Sequence, residues 1–332
     1  MPNKNSVLTG ILGFDAYYLL GVDSLFELKG LYHSFEINPR RNNRKRRTIT
    51  APCEALKMIQ RAIYAKILVH VAPHSAATAY YYGRSIALNA NQHLGCKFLY
   101  KTDVSNFFPS ITSNLIETML ERQFAHLSQS AIAEIVQLTT YDGALPQGAP
   151  TSPHLANLVL YQFDDQLSKL CERIGATYTR YADDISVSAQ DMDVLLIVDG
   201  VVRSSLAELG LLRHPNKTRF FGSGVRKIVT GLDVSGGSVR PPRRYRKRTA
   251  ALIRICETYP RWVKESNWTR IMGYLQHWQG VAPNDFELIE LKRRLKKTDP
   301  RRLQVDDTLN QRFSQRDSDG DSETPSINLG IF

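Results

Sequence analysis

The sequence predicts a mixed α/β chain of the α+β kind, in which a β-hairpin and a further strand are set among helices. Thr177-Tyr178-Thr179 and Ile185-Ser186-Val187 are β-favouring flanks around Tyr181-Ala182-Asp183-Asp184, the pattern of a hairpin with its carboxylates at the tip. A second run, Lys97-Phe98-Leu99-Tyr100-Lys101-Thr102, ends in Asp103 and passes through Phe107-Phe108-Pro109 into a helical pattern. Helices are predicted from Cys53 to about Val71, where Leu56, Ile59, Ile63, Ile67 and Leu68 recur with a period near 3.6, and from Leu155 to Leu170.

The hairpin tip carries the chemistry. Side chains alternate along a strand, so adjacent aspartates cannot both face one ion from regular strand, but at a turn they can. An Asp-Asp turn is also what a plain solvated hairpin uses, since Asp tolerates left-handed geometry. Asp103 tips the balance. Three acids at the ends of two strands, Asp103, Asp183 and Asp184, can hold two Mg²⁺ ions through oxygen ligands and leave positions open for phosphates. Such a pair of ions clamps the attacking and leaving oxygens of a phosphoryl transfer. Between the two stretches lies Leu145-Pro146-Gln147-Gly148-Ala149-Pro150-Thr151-Ser152-Pro153, a Pro/Gly loop that opens a helix.

D-x-x-x-F-F-P-S-I from Asp103, L-P-Q-G-x-P-T-S-P from Leu145 and Y-A-D-D from Tyr181 resemble, in order and spacing, the palm motifs of reverse transcriptases. Asn89-Ala90-Asn91-Gln92-His93 resembles the N-A-x-x-H element of retron reverse transcriptases, and Val229-Thr230-Gly231 their V-T-G element. The likeness runs from about Arg47 to Gly231 and continues more weakly to about Lys297. It implies a right-hand polymerase: N-terminal segment and fingers over 1–100, palm over 101–235 with 114–145 returning to the fingers, and a small basic helical thumb over 236–313.

The resemblance also implies residue roles. Asp103, Asp183, Asp184 and the Val104 carbonyl would hold the metals, two Mg²⁺ with Mn²⁺ able to substitute. Arg47, in R-x-I-x-x-P, would contact the triphosphate, a task suited to the planar guanidinium fork. Phe108 would lie under the sugar and exclude a 2′-hydroxyl, although core packing beside Phe107 is the default for such a ring. Gln147, Gly148 and Ala182 would adjoin the nucleotide, with Gly148 allowing close backbone approach. Tyr181, Thr230 and Gly231 would grip primer or RNA, and Asn89 and His93 would serve RNA recognition or local structure. Lys217 suits a general acid toward pyrophosphate, and equally a solvated or phosphate-neutralising lysine. Asp164-Asp165 is excluded as a metal pair because successive helical side chains diverge by about 100°.

Composition agrees with a nucleic-acid partner. The chain has 332 residues, with 43 Lys+Arg against 32 Asp+Glu, a net charge of +11. The basic residues cluster at Arg40 to Arg47, at Arg240 to Arg248 and at Lys292 to Lys297, and a basic helical element of this kind holds a duplex by its phosphates. Tyr80-Tyr81-Tyr82 beside Arg84 suits either base stacking or packing beneath the fingers. Cys53, Cys96, Cys171 and Cys256 are widely spaced, which predicts reduced thiols with neither zinc site nor disulfide framework. No apolar run reaches the roughly 18 residues of a membrane span, which points to a bacterial cytoplasmic protein. Asn114 to Tyr141 predicts two amphipathic helices, Val194 to Leu209 another with Gly210 as its cap, and the polar stretch from Ser314 predicts disorder.

The function expected from sequence is RNA-directed DNA synthesis on a cognate structured noncoding RNA, primed from an RNA 2′-hydroxyl and used in anti-phage defence. The resemblance implies dNTPs, the noncoding RNA and its RNA–DNA product, a separate effector protein and host RNase H as partners. The rivals are a non-retron bacterial reverse transcriptase, of group II intron or abortive-infection type, and an RNA-binding scaffold with a decayed palm. The intact acidic triad speaks against the scaffold.

Overall fold

A computed structural model describes residues 6–21, 25–37, 47–259 and 265–297. The basic positions Arg40 to Arg46, the side chain of Arg47, Trp262 and the tail from Ser314 lie outside the described residues. The chain divides into two units, residues 1–230 and 231–332.

The first unit starts with short helices α1 (Thr9–Leu12) and α2 (Ala16–Leu20), the latter capped by Asp15, whose carboxylate accepts from the Tyr17 and Tyr18 amides. Strands β1 (Tyr32–Ile37) and β2 (Arg47–Pro52) form an antiparallel pair. Helix α3 (Glu54–Lys66) follows, and Ile67 leaves helical geometry before a 3₁₀ turn at Leu68–His70, so the expected helix to Val71 is split. Helix α4 (Ile86–Asn91) starts at Ser85, whose hydroxyl accepts from the Leu88 amide.

Strand β3 (Phe98–Asp103) leads through α5 (Phe107–Ser110) into α6 (Ser113–Gln123) and α7 (Gln129–Thr139), the two amphipathic helices expected. The expected helix 155–170 is two helices, α8 (Ser152–Val159) and α9 (Tyr161–Arg173), meeting at Leu160. Strands β4 (Thr177–Tyr181) and β5 (Asp184–Ala189) are the predicted hairpin. Helix α10 (Met192–Glu208) ends where Gly210 adopts φ +70°, and the Leu211 amide reaches back to the Leu206 carbonyl. β6 (Arg219–Phe221) then completes a four-stranded antiparallel sheet in the order β4-β5-β3-β6, and the short strand β7 (Ile228–Val229) follows. α9 and α10 pack on the sheet, and α4 lies against β4. One core runs from Leu8 and Leu12 through Ile59, Ile63 and Leu155 to Ile185, Val187 and Val198.

The second unit begins with β8 (Leu232–Asp233) and holds α11 (Arg243–Thr258), α12 (Glu265–Val281) and α13 (Phe286–Lys297). These bury Ile253, Ile271, Leu275, Trp278, Leu288 and Leu291, with Trp268 packed alongside. Trp278 Nε1 donates to Asp285, which also receives a two-pronged ion pair from Arg240. The tryptophans in the described residues, Trp268 and Trp278, belong to this core. All four cysteines are free, and no described helix is long and apolar enough to cross a membrane.

Gly148 shows why the L-P-Q-G loop needs glycine. Its φ is +143°, and a Cβ there would meet Ile49 Cγ2 and Thr50 O, both at 3.1 Å, and Ala51 Cα at 3.3 Å. Within the chain, the close approach that glycine permits is made to the β2 backbone. Gly148→Ala should therefore destabilise the first unit by about 1–3 kcal/mol, seen as a lowered urea midpoint, because both the backbone angle and the neighbouring strand oppose a side chain.

Candidate active site

The hairpin turn consists of Ala182 and Asp183, since Tyr181 pairs with Asp184. Ala182 takes φ +58°, and its side chain is buried. The turn separates the two acids: Asp183 sits in it, whereas Asp184 is the first residue of β5 and lies directly across from Asp103 in the β3–β5 register. The Val104 amide donates to the Asp183 carbonyl at 3.0 Å, which fixes the turn against the end of β3. Asp103, Asp183 and Asp184 thus meet at one end of the sheet, with Val104 and Tyr181 beside them.

Two lysines balance this charge. Lys101 Nζ donates to Asp184 Oδ2 at 2.9 Å, and Lys217 Nζ pairs with Asp103 Oδ2. Burial pushes the Asp184 carboxyl upward, Lys101 opposes that shift, and the Asp103 and Asp183 charges reinforce it. Among the described residues no three His, Cys, Asp or Glu side chains are already gathered as a metal cage. The donor set nonetheless fits a hard cation: Asp184 Oδ1 is buried and has no hydrogen-bond partner, and the donors are carboxylate oxygens.

Aromatic rings flank the acids. Phe108 is half-buried against Phe107, at 5.4 Å between ring centroids, and against Tyr80, at 6.3 Å. Tyr80 itself takes φ +62°, and burial followed by the Asp183 charge pushes its phenol up. Sequence reasoning left Tyr80 between base stacking and packing beneath the fingers. The combination of strained backbone, half-exposed ring and acidic neighbour was not visible in a run of three tyrosines.

Arg180 and Asp164 were also missed. Both are fully buried. Arg180 donates from Nε and Nη2 to the two Asp164 oxygens at 2.8 and 2.6 Å, and from Nη1 to Asn157 Oδ1 at 3.1 Å and to the Ala182 carbonyl at 3.0 Å. Tyr178 donates to Asp164 Oδ1 at 2.6 Å. Asp164, rejected as a metal ligand, is instead the counter-ion that lets an arginine hold the turn from inside. An arginine alternating with β-formers in a buried strand is a signal for such a partner, because a charge in the interior must be paired.

Several expected contacts lie elsewhere. Asn89 and His93, expected to serve RNA recognition or local structure, are buried, each about 1% exposed. His93 lies 2.7 Å from Thr179 Oγ1 and 2.8 Å from Ser188 Oγ, and Asn89 Oδ1 accepts from Thr78 Oγ1 at 2.7 Å. Gln147 is half-buried in the loop that Gly148 lays on β2. Thr230, at φ +45°, donates its hydroxyl to the Ile86 carbonyl at the start of α4, and Gly231 opens the second unit. Arg47 is the first residue of β2, paired with Ile37. Arg84 donates to the carbonyls of Pro73, His74, Ser75 and Ala77, which makes it a staple for that loop.

The comparisons fit this geometry. Residues 38–268 match the family described as Reverse transcriptase (RNA-dependent DNA polymerase). The retron Mx162 reverse transcriptase of Myxococcus xanthus is 36% identical over 231 residues, covering 61% of this chain and 47% of that protein. The retron Ec86 reverse transcriptase of Escherichia coli is 30% identical over 222 residues, covering 67% and 69%, and the Ec83 enzyme of the same species is 32% identical over 213 residues, covering 61% and 68%. The chain belongs to the reverse transcriptase family, and within it to the retron reverse transcriptases. The matched segment spans about half of the Mx162 protein and about two thirds of the other two. A solved telomerase from Candida albicans, in complex with a fragment of telomeric RNA, aligns with TM-score 0.53 at 10% identity over 86% of this chain and 64% of its own, a likeness of fold alone.

Two predictions come from the buried groups. Replacing Arg180 by Met strands the Asp164 charge and should cost about 3–5 kcal/mol in denaturant titration, more than the loss of any surface ion pair. His93 is held neutral, its pKa lowered by burial and then by Lys101 from 6.5 to about 3. As pH falls between these values the unfolded chain binds the proton and the folded one does not, so His93 contributes stability that is whole above 6.5 and is lost toward 3. Over that window His93→Gln should lose stability less steeply than the parent, read as the urea midpoint against pH.

Proposed function

We propose that this chain is the RNA-directed DNA polymerase of a retron, copying a cognate structured noncoding RNA into single-stranded DNA. The observation that carries the proposal is the register that sets Asp184 across from Asp103 with Asp183 in the adjoining turn. Residues 1–100 then serve as N-terminal segment and fingers, 101–235 as palm and 236–313 as the basic thumb. The helical, basic second unit supports the last assignment.

Asp103, Asp183, Asp184 and the Val104 carbonyl would hold two Mg²⁺ ions, with Mn²⁺ able to substitute. Bound there, the ions supply charge neutralisation at the phosphates and a more acidic 3′-hydroxyl. The chain's own side chains do the rest. Asp184 offers Oδ1 while Lys101 holds Oδ2. Lys217, close to Asp103 and half-exposed, is placed to give a proton to departing pyrophosphate. Phe108, braced by Phe107 and Tyr80, presents its ring to the sugar and disfavours a 2′-hydroxyl. Arg47 and Gln147 attend the incoming dNTP from the fingers side, together with Gly148 and Ala182. Tyr181, Thr230 and Gly231 face primer or RNA.

Retron membership supports priming from an RNA 2′-hydroxyl, a branched RNA–DNA product, a separate effector protein with an anti-phage role, template removal by host RNase H, and a bacterial cytoplasmic setting. The deciding experiment expresses the chain with about a kilobase of its native upstream DNA and sequences the small nucleic acids after RNase and debranching treatment. A discrete single-stranded DNA joined 2′–5′ to RNA is expected. The Asp183→Asn/Asp184→Asn variant should make none, at least 10³-fold less by the usual scale of lost charge stabilisation, while binding RNA as the parent does. DNA from that variant would sink the site assignment.

A further inference from the structure

We infer that the buried Asn89–His93 element is a strut for the catalytic hairpin, positioning the turn that carries Asp183 without touching nucleic acid. The inference rests on the polymerase reading above for the meaning of that hairpin, but its geometry is independent of it. His93 touches both strands of the hairpin at once: Thr179 lies on β4 and Ser188 on β5. In the register Thr179 pairs with Ser186 and Ser188 with Thr177, so the imidazole spans a diagonal of the sheet face. A neutral imidazole has one donor and one acceptor nitrogen, and two hydroxyls satisfy both. The ring is buried, and each of its two nitrogens is engaged by one of these hydroxyls.

Four residues earlier on the same segment, Asn89 reaches the turn by a second route. Its Oδ1 accepts from the Thr78 hydroxyl, which also lies 3.0 Å from the Arg180 carbonyl. The Thr78 amide donates to that carbonyl as well, at 2.7 Å. Arg180 in turn holds the Ala182 carbonyl, one residue before Asp183. The segment therefore grips the hairpin twice, through a side-chain bridge under both strands and through a chain of hydrogen bonds that ends in the turn. Its own placement is set at the opposite end, where the Thr230 hydroxyl donates to the Ile86 carbonyl.

Reactions that depend on atomic placement lose about tenfold to a hundredfold in rate when a group shifts by an ångström. The test is single-turnover extension of a DNA primer annealed to an RNA template of defined sequence, with Mg²⁺ and dNTPs at saturation. RNA affinity is measured alongside. His93→Phe and Thr179→Val should each slow the rate by about tenfold or more, with full product amplitude and unchanged RNA affinity. The double variant should be no slower than the worse single one, because both remove the same bond. Ser188→Ala, which only deletes a hydroxyl, carries the same expectation if His93→Phe fails to fold. An unchanged rate would overturn the strut. So would weakened RNA binding at an unchanged saturated rate, which is the mark of a contact residue, or reduced amplitude at an unchanged rate, the mark of a fold defect alone. Extension by the unaltered chain separates the readings: without it the polymerase proposal fails, and with it only the strut is at stake.

Discussion

The buried pairing of Arg180 with Asp164 is the constraint on which the site depends. Taking both charges out of water is costly, and an apolar pair of similar volume would often be as stable. What an apolar pair cannot do is aim a guanidinium. Its fork takes both Asp164 oxygens, and the remaining donor group reaches Asn157 and the Ala182 carbonyl. Ala182 occupies left-handed backbone, which costs an L-residue roughly 1–2 kcal/mol. The bond to its carbonyl offsets that strain and leaves Asp183 one way to leave the turn.

Charge balance at the sheet end follows the same logic on the outer side. Three carboxylates at adjoining strand ends repel one another, and the upward push on Asp184 from Asp103 and Asp183 records it. Lys101 and Lys217 answer this differently. The Lys101 side chain is 19% exposed and lies on β3 itself, whereas that of Lys217 is 49% exposed and ends a 3₁₀ turn. The better-solvated lysine has less to lose by leaving its partner, so Lys217 is the one that can exchange a carboxylate for a phosphate. Lys101 is placed to stay and orient Asp184.

Much of this was legible in the chain, for local reasons. Alternation and turn chemistry announced the hairpin, but its two-residue tip is Ala182-Asp183 and not the expected Asp-Asp, so Asp184 opens β5. Asp103 stood out because an apolar strand ended on it. Other features were set by tertiary contacts that periodicity does not encode. The N-A-x-x-H pattern singled out Asn89 and His93 but did not say that both turn inward. Gly148 signalled close approach without naming the object, and the β2 backbone is what it approaches within the chain. Arg180 and Asp164 are 16 residues apart, on a strand and a helix whose facing sides only the packed structure fixes. The break at Leu160 carries neither Gly nor Pro to mark it.

The segment Ala76 to Tyr80 joins these threads. Ala76 accepts from the Arg180 amide and Thr78 donates to the Arg180 carbonyl, so the segment runs beside β4 and covers its outer edge. An uncovered edge strand would offer its amides and carbonyls to other chains. Covering it clamps the main chain of the same residue whose side chain Asp164 clamps from within. Neither clamp alone suffices: the ion pair fixes the guanidinium but not the strand, and the edge bonds fix the strand but not the turn. Two residues after Thr78, the chain turns through the positive φ of Tyr80 and sets that ring against Phe108. The stretch that seals the sheet therefore also supplies a wall of the site, and a displacement at its Thr78 anchor would reach the Asp183 turn and the Phe108 platform together.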